Sequence, residues 1–528
     1  MIGVIASPSK SAVVREFFEL FKTPWEWCRI GRRYEVLLCA GAGDLPVSNA
    51  DIVLSYACEA SGPDTEEGAG RVSQRRHARM LRYREYQVPI YGDCVTFARG
   101  SDVLVDQETL DPVIHLHRSG ATTVARVGYD LFGEIEALLT AGQPASNAGI
   151  PALELHIALL RELIVTSGAP LVEIPPVPDG HRFIVCLTHD VDHPSIRRHR
   201  CDHTTLGFLY RATFGSIKRV CRKRLSMRGL LRNWVAAAKL PLVHLGLVKD
   251  FWYEFDRYLR LEMGLRSTFF VIPFGNRPGH LGAGPPSGLR ASRYGAADIS
   301  GKINELMSAG SEIGLHGIDA WLDGSSARVE LDVVRGITQR QEIGVRMHWL
   351  YFGQESPLAL DHAGADYDST IGYNETVGYR AGTTQVYRPL GVTRLLELPL
   401  HIMDTALFFP SCLDLTPGEA RKRVGHMIDN AMQFGGAITV NWHDRSIAPE
   451  RCWDDFYADM VREFKREGAW FATAADVTSW FRRRRSAVFE DAGCQSELPH
   501  VQGTLGQAPD LPALQLRVYN VQQTQLSR

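Results

Sequence analysis

The 528-residue sequence contains no long apolar run and no paired cysteines. No stretch approaches the ~18 to 20 apolar residues that a membrane-spanning helix requires. The N-terminal segment Met1–Pro8 lacks the basic start and the long apolar core of a secretory signal. The ten cysteines occur singly, without a C-x-x-C pair, which indicates neither a disulfide framework nor a thiolate zinc site. We therefore expect a cytoplasmic protein.

A strong net charge is also missing. The formal charge is −2 at pH 7, which argues against wholesale electrostatic binding of nucleic acid. The turn after the first predicted strand, Ser7–Ser9, lacks the glycines of a nucleotide-binding fingerprint. With 45% hydrophobic and 22% charged residues, the composition is that of a soluble globular protein. The length predicts two or three domains.

The pattern of apolar residues divides the chain into three parts. Residues 1–175 combine short apolar strands with helical stripes and predict a smaller α/β domain. The segment Glu173–Gly180 contains three prolines and marks a boundary, because proline favours an extended chain. Residues 176–485 alternate strands and amphipathic segments, as in a parallel α/β sheet or barrel. Residues 486–528 are rich in Gln, Pro and Gly and predict a loosely ordered tail.

Short apolar runs give the candidate strands. In the first part they are Ile2–Ala6, Tyr34–Ala40 and Ile52–Tyr56. In the second part they are Phe183–Thr188, Ser267–Pro273, Glu312–His316, Gly344–Trp349, Leu395–Leu400 and Ala437–His443. Amphipathic segments lie between several of these runs, which favours parallel strands joined by helices.

A basic amphipathic insertion interrupts the second part at about residues 197–245. Asp202 is the only acid between Arg197 and Lys239, and apolar residues such as Phe214 and Trp234 are interleaved with the arginines and lysines. One interpretation is a solvated face that packs on the barrel. The other is a platform for anionic lipid headgroups or a pyrophosphate-linked substrate, with peripheral contact to the inner membrane face.

The segment Thr188–Pro194 holds the densest group of polar residues. Asp190 and Asp192 follow an apolar strand and are flanked by His189 and His193. A turn capped by aspartate is the simple alternative. However, burying so much charge is costly unless it is paired or coordinates a metal, and sites form at the carboxyl ends of parallel strands. We interpret this segment as half of a metal site.

Further polar residues lie at the ends of other predicted strands. His316 precedes Gly317, which allows close backbone approach. Arg346 lies near the end of the next strand, and His443 closes a strongly apolar strand and is followed by Asp444. Each of these residues has a structural explanation when it is taken alone. Their order along one α/β region is the informative observation.

The order Asp-x-Asp, Leu-His-Gly, Arg-x-His and Trp-His-Asp resembles the polysaccharide deacetylase (NodB-homology) family. The resemblance covers Arg182 to about Arg485, with the basic stretch as an insertion, and Leu396–Leu400 resembles a late strand of that family. It implies a distorted parallel (β/α) barrel that hydrolyses N-acetyl groups on sugars with a metal. The first part does not resemble this catalytic domain and is interpreted as an accessory module.

The resemblance implies a role for each matching residue. Asp190 matches the general base that deprotonates the attacking water, and Arg346 matches the arginine that pairs with this base. Asp192 matches the acidic metal ligand, and His316 matches the first histidine ligand. His443 matches the general acid that protonates the departing amine.

One position departs from the family pattern. The second histidine ligand is expected four residues after the first, where this chain has Ala320. Asp319 is the nearest replacement, and we expect it to be the third ligand, because a catalytic metal commonly keeps about three protein ligands. His189, His193 and His348 are other possible donors. Oxygen and nitrogen donors suit zinc or another first-row transition metal.

These observations predict a metal-dependent N-deacetylase for an amino sugar in a glycan or in a lipid- or nucleotide-linked glycan precursor. A divalent ion lowers the pKa of bound water and polarises the carbonyl, and a positioned acid assists departure of the amine. A deformylase or other small-acyl amidohydrolase of the same fold is one alternative. The absent second histidine favours another, a non-catalytic glycan-binding protein on a decayed scaffold.

Overall fold

A computed structural model describes residues 1–41, 50–58, 72–281, 287–489, 501–502 and 511–519. The chain divides into two compact units. Unit 1 comprises Met1–Asp179, Tyr379–Thr383 and Phe481–Arg528, and unit 2 comprises Gly180–Gly378 and Thr384–Trp480.

Unit 1 is built on a mixed nine-stranded sheet. Its strands are β1 (Ile2–Ile5), β2 (Trp25–Trp27), β3 (Tyr34–Ala40), β4 (Ala50–Tyr56), β5 (Val72–Tyr83), β6 (Tyr86–Phe97), β7 (Ser101–Asp106), β8 (Pro112–Ser119) and β9 (Thr122–Val127). The strand order is β2-β1-β3-β4-β9-β8-β7-β5-β6. Strands β1 to β4 and β9 pair in parallel, and the remaining pairs are antiparallel. Helices Ser11–Phe21, Leu131–Thr140 and Ala152–Thr166 belong to the same unit.

The end of the chain contributes to unit 1. Strand β10 (Leu171–Glu173) pairs antiparallel with Arg517–Tyr519, and Val488–Phe489 pairs with Val501–Gln502. Much of the predicted tail, residues 490–500, 503–510 and 520–528, lies outside the described residues.

Unit 2 is a parallel barrel. Its strands are β11 (Phe183–Val191), β12 (Ser267–Val271), β13 (Glu312–Gly317), β14 (Val345–Met347), β15 (Tyr367–Asp368), β16 (Leu396–Glu397), β17 (Ile402–Met403), β18 (Ala437–Asn441) and β19 (Ala469–Phe471). The order is β16-β15-β14-β13-β12-β11-β18-β17, and β19 pairs with β11. Because β16 and β17 lie close in sequence but pair with opposite edges, one extended segment closes the sheet.

Helices connect most of these strands. They are His203–Tyr210, Ser216–Cys221, Met227–His244, Phe255–Leu261, Ser300–Ser308, Gly324–Thr338, Ser356–Ala363, Asp404–Phe408, Pro417–Phe434, Asp454–Arg466 and Ala474–Ser486. The helix that begins at Pro417 shows how the sequence sets such boundaries. The Thr416 hydroxyl accepts the Glu419 amide N–H, the Glu419 carboxylate accepts the Thr416 amide N–H, and proline occupies the first helical position.

Strand β11 and its parallel neighbours explain why the candidate site residues lie at one end of the barrel. All nine of its residues are buried, as expected for a strand covered on both faces. The parallel register places the carboxyl ends of β11, β12, β13, β14 and β18 at the same end. The predicted fold class, a parallel α/β barrel preceded by a smaller α/β domain, is confirmed.

The basic insertion is helical. It contains His203–Tyr210, Ser216–Cys221 and Met227–His244, with a π-helical segment at Arg211–Gly215. One face packs in a core cluster that includes Phe208, Val243 and Trp252. No helix in the described part of the chain has the length and apolar character needed to cross a bilayer.

Candidate metal centre and active site

Three side chains converge at the carboxyl end of the barrel. Asp192 follows β11, His316 lies in β13, and His348 follows β14. The Asp192 Oδ1 atom lies 3.3 Å from His316 Nε2 and 3.6 Å from His348 Nε2. All three donor atoms lie within 4.8 Å of one another. We call Asp192, His316 and His348 the ligand group.

The environment of Asp192 fits a cation. Its Oδ1 atom is buried and has no hydrogen-bond partner among the described residues. Burial by itself would raise the pKa of Asp192, but the His348, His316 and His443 imidazoles lower it well below its usual value. The carboxylate is therefore ionised at neutral pH. A buried carboxylate oxygen without a donor is a ready ligand for a metal ion.

The two imidazoles present nitrogen atoms suited to the same ion. His316 Nδ1 lies 3.0 Å from the Arg346 carbonyl oxygen, which can only accept a hydrogen bond, so the Nδ1 atom donates and Nε2 is the nitrogen that faces the ligand group. Burial lowers the pKa of His348 to about 3, so this imidazole is neutral at physiological pH. One oxygen and two nitrogen donors match a three-ligand zinc-type site.

A sharp turn and a buried arginine position His348. Arg290, which is almost fully buried, donates hydrogen bonds from its Nη2 atom to the His348 and Ile318 carbonyl oxygens, at 3.1 and 2.7 Å. Trp349 and Leu350 adopt positive φ angles of 64° and 53°, which non-glycine residues rarely do. This unusual backbone directly follows the ligand, as strained segments at functional sites often do.

Asp319 is not a member of the ligand group. Its Oδ1 atom accepts a hydrogen bond from the His280 amide at 2.7 Å, and its Oδ2 atom lies 3.1 Å from His280 Nδ1. Asp319 is also not among the residues that line the cavity described below. Among the donors that the sequence offered as alternatives, His348 is the one that joins Asp192 and His316 in the described chain.

His189 and His193 have other partners. His189 Nδ1 lies 2.8 Å from the Trp442 carbonyl oxygen, and its Nε2 atom lies 2.9 Å from Glu262 Oε1. The His193 Nδ1 atom lies 3.2 Å from His199 Nε2. Both imidazoles therefore take part in hydrogen-bond networks beside the ligand group.

Asp190 is held between two donors. Its Oδ1 atom lies 3.2 Å from Arg346 Nη1, and its Oδ2 atom accepts a hydrogen bond from Asn441 Nδ2 at 2.6 Å. Arg346 is fully buried and donates further hydrogen bonds to the Ser369 carbonyl and hydroxyl oxygens, at 3.0 and 2.8 Å. This arrangement fixes the orientation of the Asp190 carboxylate. The sequence motifs do not point to Asn441 or Ser369.

His443 is paired with a carboxylate that the sequence motifs did not reveal. Its Nδ1 atom lies 2.6 Å from Asp404 Oδ1, and its backbone N–H donates to Asp404 Oδ2 at 2.7 Å. Burial would lower the pKa of His443, but Asp404 outweighs this effect and raises it to about 9. The neighbour in sequence, Asp444, instead accepts the backbone N–H of His193 at 2.9 Å. His443 is therefore protonated at neutral pH.

One cavity of about 420 Å³ brings these groups together. Asp190, His443 and the whole ligand group line it. Arg346 lies behind Asp190, which it contacts. The cavity wall also includes Trp349, whose indole is 42% exposed. The cavity thus combines an oriented carboxylate, a protonated imidazole and a set of metal donors.

Comparisons with known proteins give structural neighbours. No family model matches the sequence, and a search of curated proteins also finds no match. The chain is similar to a protein assigned as a polysaccharide deacetylase from Mycobacterium smegmatis, with 19% identity and a TM-score of 0.35 over 58% of this chain and 94% of that one. It is also similar to the Xyl-CE4 domain of a multidomain xylanase from the hindgut metagenome of Trinervitermes trinervoides, with 11% identity and a TM-score of 0.25 over 56% and 90% of the two chains. One of these neighbours carries the name of the family that the order of the sequence motifs resembles.

Proposed function

We propose that the protein is a metal-dependent hydrolase that removes the N-acetyl group from an amino sugar. The observation that carries this proposal is the shared cavity of Asp190, His443 and the ligand group. Hydrolysis of an amide needs a base for the attacking water and an acid for the departing amine. A carboxylate held by Arg346 and an imidazole held protonated by Asp404 are suited to these two tasks.

In the proposed reaction, water adds to the carbonyl carbon of the acetamide group and transfers a proton to Asp190. Arg346 and Asn441 keep the carboxylate of Asp190 oriented toward this proton. The C–N bond then breaks, and His443 donates its Nε2 proton to the amine nitrogen. Asp404 holds the His443 ring from its other side and stabilises the imidazolium before the transfer. The products are acetate and the free amino sugar.

Asp192, His316 and His348 are the residues that would hold the metal ion. A divalent ion bound there would polarise the acetamide carbonyl and make water more acidic. The mixture of one oxygen and two nitrogen donors favours zinc or another first-row transition metal over magnesium or calcium. The sequence predicts Asp319 as a ligand, and this stays a prediction. In the structure the Asp319 carboxylate is paired with His280.

Aromatic residues beside the cavity support a sugar substrate. Trp349 and Tyr351 are stacked with an interplanar angle of 20°, and Tyr351 is stacked with Trp321 at 23°. Exposed aromatic rings offer a broad apolar face together with a polar edge. The apolar face of a sugar ring is complementary to such a surface, and the exposed Trp349 indole at the cavity wall is a candidate for this contact.

Acetate release tests the proposal. We expect the metal-loaded protein to release acetate from N-acetylated amino sugars and to lose this activity when a chelator removes the metal. Asp190→Asn and His443→Gln should each reduce kcat by ~10²–10⁴-fold, the usual contribution of a general base or acid. The matched control is His426→Gln, because His426 is exposed on the helix Pro417–Phe434.

Three results would separate the alternatives. Faster hydrolysis of N-formyl than N-acetyl sugars would indicate a deformylase. Sugar binding without any acyl release would indicate a glycan-binding protein. Full activity of Asp190→Asn and His443→Gln would exclude the proposed roles of these two residues.

We also propose that the helical insertion contacts an anionic membrane surface. Most of the exposed apolar residues on its helical segments follow one another at intervals of three, four or seven residues, which places them on common faces. They are Leu206, Tyr210, Phe214 and Ile217, followed by Met227, Leu231, Trp234, Val235 and Leu242, each at least 41% exposed. We call these residues the apolar stripe. Lys218, Arg222, Lys223, Arg228 and Lys239 are exposed on the same segments, and they complement anionic headgroups.

Vesicle sedimentation tests the membrane contact. We expect the full chain to sediment with vesicles that contain phosphatidylglycerol and less with phosphatidylcholine alone, and added salt should weaken this binding. Leu231→Glu and Trp234→Glu should release the protein from the vesicles. The control is Val329→Glu, which places the same charge at an exposed valine on the helix Gly324–Thr338. Unchanged sedimentation of the stripe variants would contradict the proposal.

A further inference from the structure

An excess of positive charge lines the cavity of the proposed active site. Among the described residues of its wall, the arginines are Arg211, Arg290, Arg445 and Arg451, whereas the carboxylates are those of Asp190 and Asp192. Arg290 donates hydrogen bonds to the carbonyl oxygens of Pro278, Ile318 and His348. The other three, which we call the arginine cluster, have no role in the proposed acetamide hydrolysis.

The arginine cluster lacks acidic partners. None of its members forms a salt bridge with a described carboxylate. The Nε atoms of Arg211 and Arg451 are buried and have no hydrogen-bond partner in the described structure. Arg445 lies over the Trp252 ring, with its guanidinium carbon 5.2 Å from the ring centroid. Unpaired charges of this kind are costly unless a ligand of opposite charge binds.

Arg451 is the most deeply placed member. It is only 4% exposed, and its guanidinium carbon lies 4.9 Å from the Phe409 ring centroid and 5.1 Å from that of Trp453. Its one direct polar contact in the described structure is a 3.1 Å hydrogen bond from Nη1 to Ser446 Oγ. Burial lowers the pKa of Arg451 to about 9, and the charge of Arg445 adds to this effect. The positive charge of Arg451 is therefore incompletely balanced by the described side chains, which favours binding of an anion.

Three acids affect the cluster electrostatically, but each has another partner. Asp444 interacts with the charge of Arg445, whereas its Oδ2 atom accepts the His193 backbone N–H at 2.9 Å. The charge of Glu450 acts on Arg211 and Arg451, whereas its Oε2 atom accepts a hydrogen bond from the Trp252 indole at 3.2 Å. Asp404 also acts on Arg451, but its carboxylate is paired with His443. None of the three carboxylates forms a described salt bridge with the cluster, which leaves the guanidinium groups for a ligand.

We propose that the arginine cluster binds a phosphate or diphosphate group of the substrate. The inference rests on the proposed N-deacetylase function and names its substrate class, an amino sugar joined to phosphate. Guanidinium groups bind phosphate oxygens through paired hydrogen bonds, and several arginines suit a group with more than one negative charge. The phosphate would anchor one end of the sugar while the acetamide group lies at the ligand group.

A second cavity continues from the arginine cluster. It has a volume of about 630 Å³, and it shares Arg211, Phe409 and Arg451 with the first cavity. Its wall also includes Lys218 and Arg222 of the helical insertion. A group attached beyond the phosphate would have space there. This group could be a nucleoside or a lipid, and the phosphate linkage is common to both.

Substrate preference tests the inference. The full-length, metal-loaded protein would be given N-acetylglucosamine as its neutral methyl glycoside, as its uridine diphosphate derivative and as a farnesyl diphosphate derivative. We expect a higher kcat/KM for at least one diphosphate-linked sugar than for the neutral glycoside. A preference for the farnesyl derivative would indicate a lipid carrier, and a preference for the uridine derivative would indicate a nucleotide carrier.

Substitutions in the arginine cluster provide a second test of the phosphate site. Arg211→Gln and Arg445→Met should each reduce the preference for the diphosphate-linked sugar by ~10-fold or more, because each removes charge-assisted hydrogen bonds. Methionine at position 445 keeps an apolar side chain over Trp252. If Arg211→Gln does not fold, the result for Arg445→Met decides the test. The control is Lys249→Gln, which changes an exposed cation outside both cavities and should keep the preference.

A failure of the phosphate site and a failure of the N-deacetylase function would give different results. Equal kcat/KM for the neutral and both diphosphate-linked sugars, or a preference that survives in both arginine variants, would overturn the arginine cluster as a phosphate site. Acetate release from none of the sugars would instead contradict the N-deacetylase function. Inorganic pyrophosphate would then be titrated calorimetrically into metal-depleted protein, where binding that weakens ~10-fold in Arg445→Met supports the phosphate site and equal binding overturns it.

Discussion

At the scale of single residues, the pair formed by His443 and Asp404 best illustrates how position determines chemistry. A buried imidazole loses its proton easily, and burial is the largest cause that lowers the pKa of His348 to about 3. His443 is also buried, yet its pKa is raised to about 9 because Asp404 stabilises the imidazolium. Two histidines at the same cavity are thus suited to different roles, one as a neutral ligand and the other as a proton donor.

Titration of His443 checks this assignment. In the metal-free protein, the raised pKa means that His443 stays protonated through neutral pH and loses its proton as the pH passes about 9. Asp404→Asn removes the stabilising charge, so the pKa should fall below the usual value for histidine, because burial then dominates. NMR of ring-labelled histidines, with His443→Gln to assign the signal, measures both values. An unchanged pKa in Asp404→Asn would contradict the role of Asp404.

Part of the site could be predicted from single residues. Asp190, Asp192, His316 and His443 follow or end apolar strands, and the structure brings all four to one cavity. The partners of these residues could not be predicted in the same way. Asp404 follows a strand of only two residues, and its contact with His443 depends on pairing between β17 and β18.

The third member of the ligand group shows the same limit. Asp319 is close to His316 in sequence, whereas His348 reaches His316 through the pairing of β13 with β14. His348 was one of several histidines that the sequence offered, and no local pattern distinguished it from His189 or His193. Its proximity to Asp192 and His316 follows from tertiary structure.

At the scale of elements, close packing of the barrel depends on a glycine. A Cβ atom built at Gly344, directly before β14, would lie 1.9 Å from an atom of the Tyr367 ring. Tyr367 is fully buried and lies in the neighbouring strand β15, so it has little room to move. Glycine at this position allows the two strands to pack with the aromatic ring between them.

Substitution of two glycines tests this packing. Gly344→Ala should lower the free energy of unfolding by about 1–3 kcal/mol through overpacking. Gly336→Ala is the matched control, because Gly336 is exposed within the helix Gly324–Thr338 and its added Cβ meets no atom. It should raise stability by about 0.5–1 kcal/mol. Thermal unfolding measures both changes, and equal midpoints for the two variants would contradict this interpretation.

The elements differ in how well the sequence predicts them. Strand β11 is a continuous apolar run because the barrel buries both of its faces. Strands β5 to β9 were not predicted. For β5, the sequence Val72–Tyr83 is rich in arginine, and several of its described side chains are exposed. It forms a strand by pairing with β6 and β7, which a local pattern does not reveal.

At the scale of the whole molecule, residues from the end of the chain complete unit 1. Arg484 is buried and donates hydrogen bonds to the carbonyl oxygens of Glu19, Leu20 and Ile174. Strand β10 pairs with Arg517–Tyr519. The boundary predicted near Glu173–Gly180 is close to the first division between the units. The segments Tyr379–Thr383 and Phe481–Arg528 also belong to unit 1, and this depends on tertiary contacts that sequence patterns do not show.

Truncation tests this contribution. A chain that ends after Trp480 loses the hydrogen bonds of Arg484 and the partner strand of β10, so unit 1 should unfold more readily. A chain that ends after Tyr519 keeps both and is the control. Hydrogen exchange, read by mass spectrometry over β1 and β3, should show lower protection only in the shorter chain. Equal protection in the two chains would show that the terminal segments do not stabilise unit 1.

The central claim is that Asp192, His316 and His348 bind a catalytic metal ion. Its most direct test is the metal content of the purified protein, measured by mass spectrometry of the bound element for the parent chain and for Asp192→Ala, His348→Ala and Asp319→Ala. We expect a first-row transition metal in the parent and in Asp319→Ala, and its loss from Asp192→Ala and His348→Ala. Retention of the metal by His348→Ala together with its loss from Asp319→Ala would contradict the ligand group.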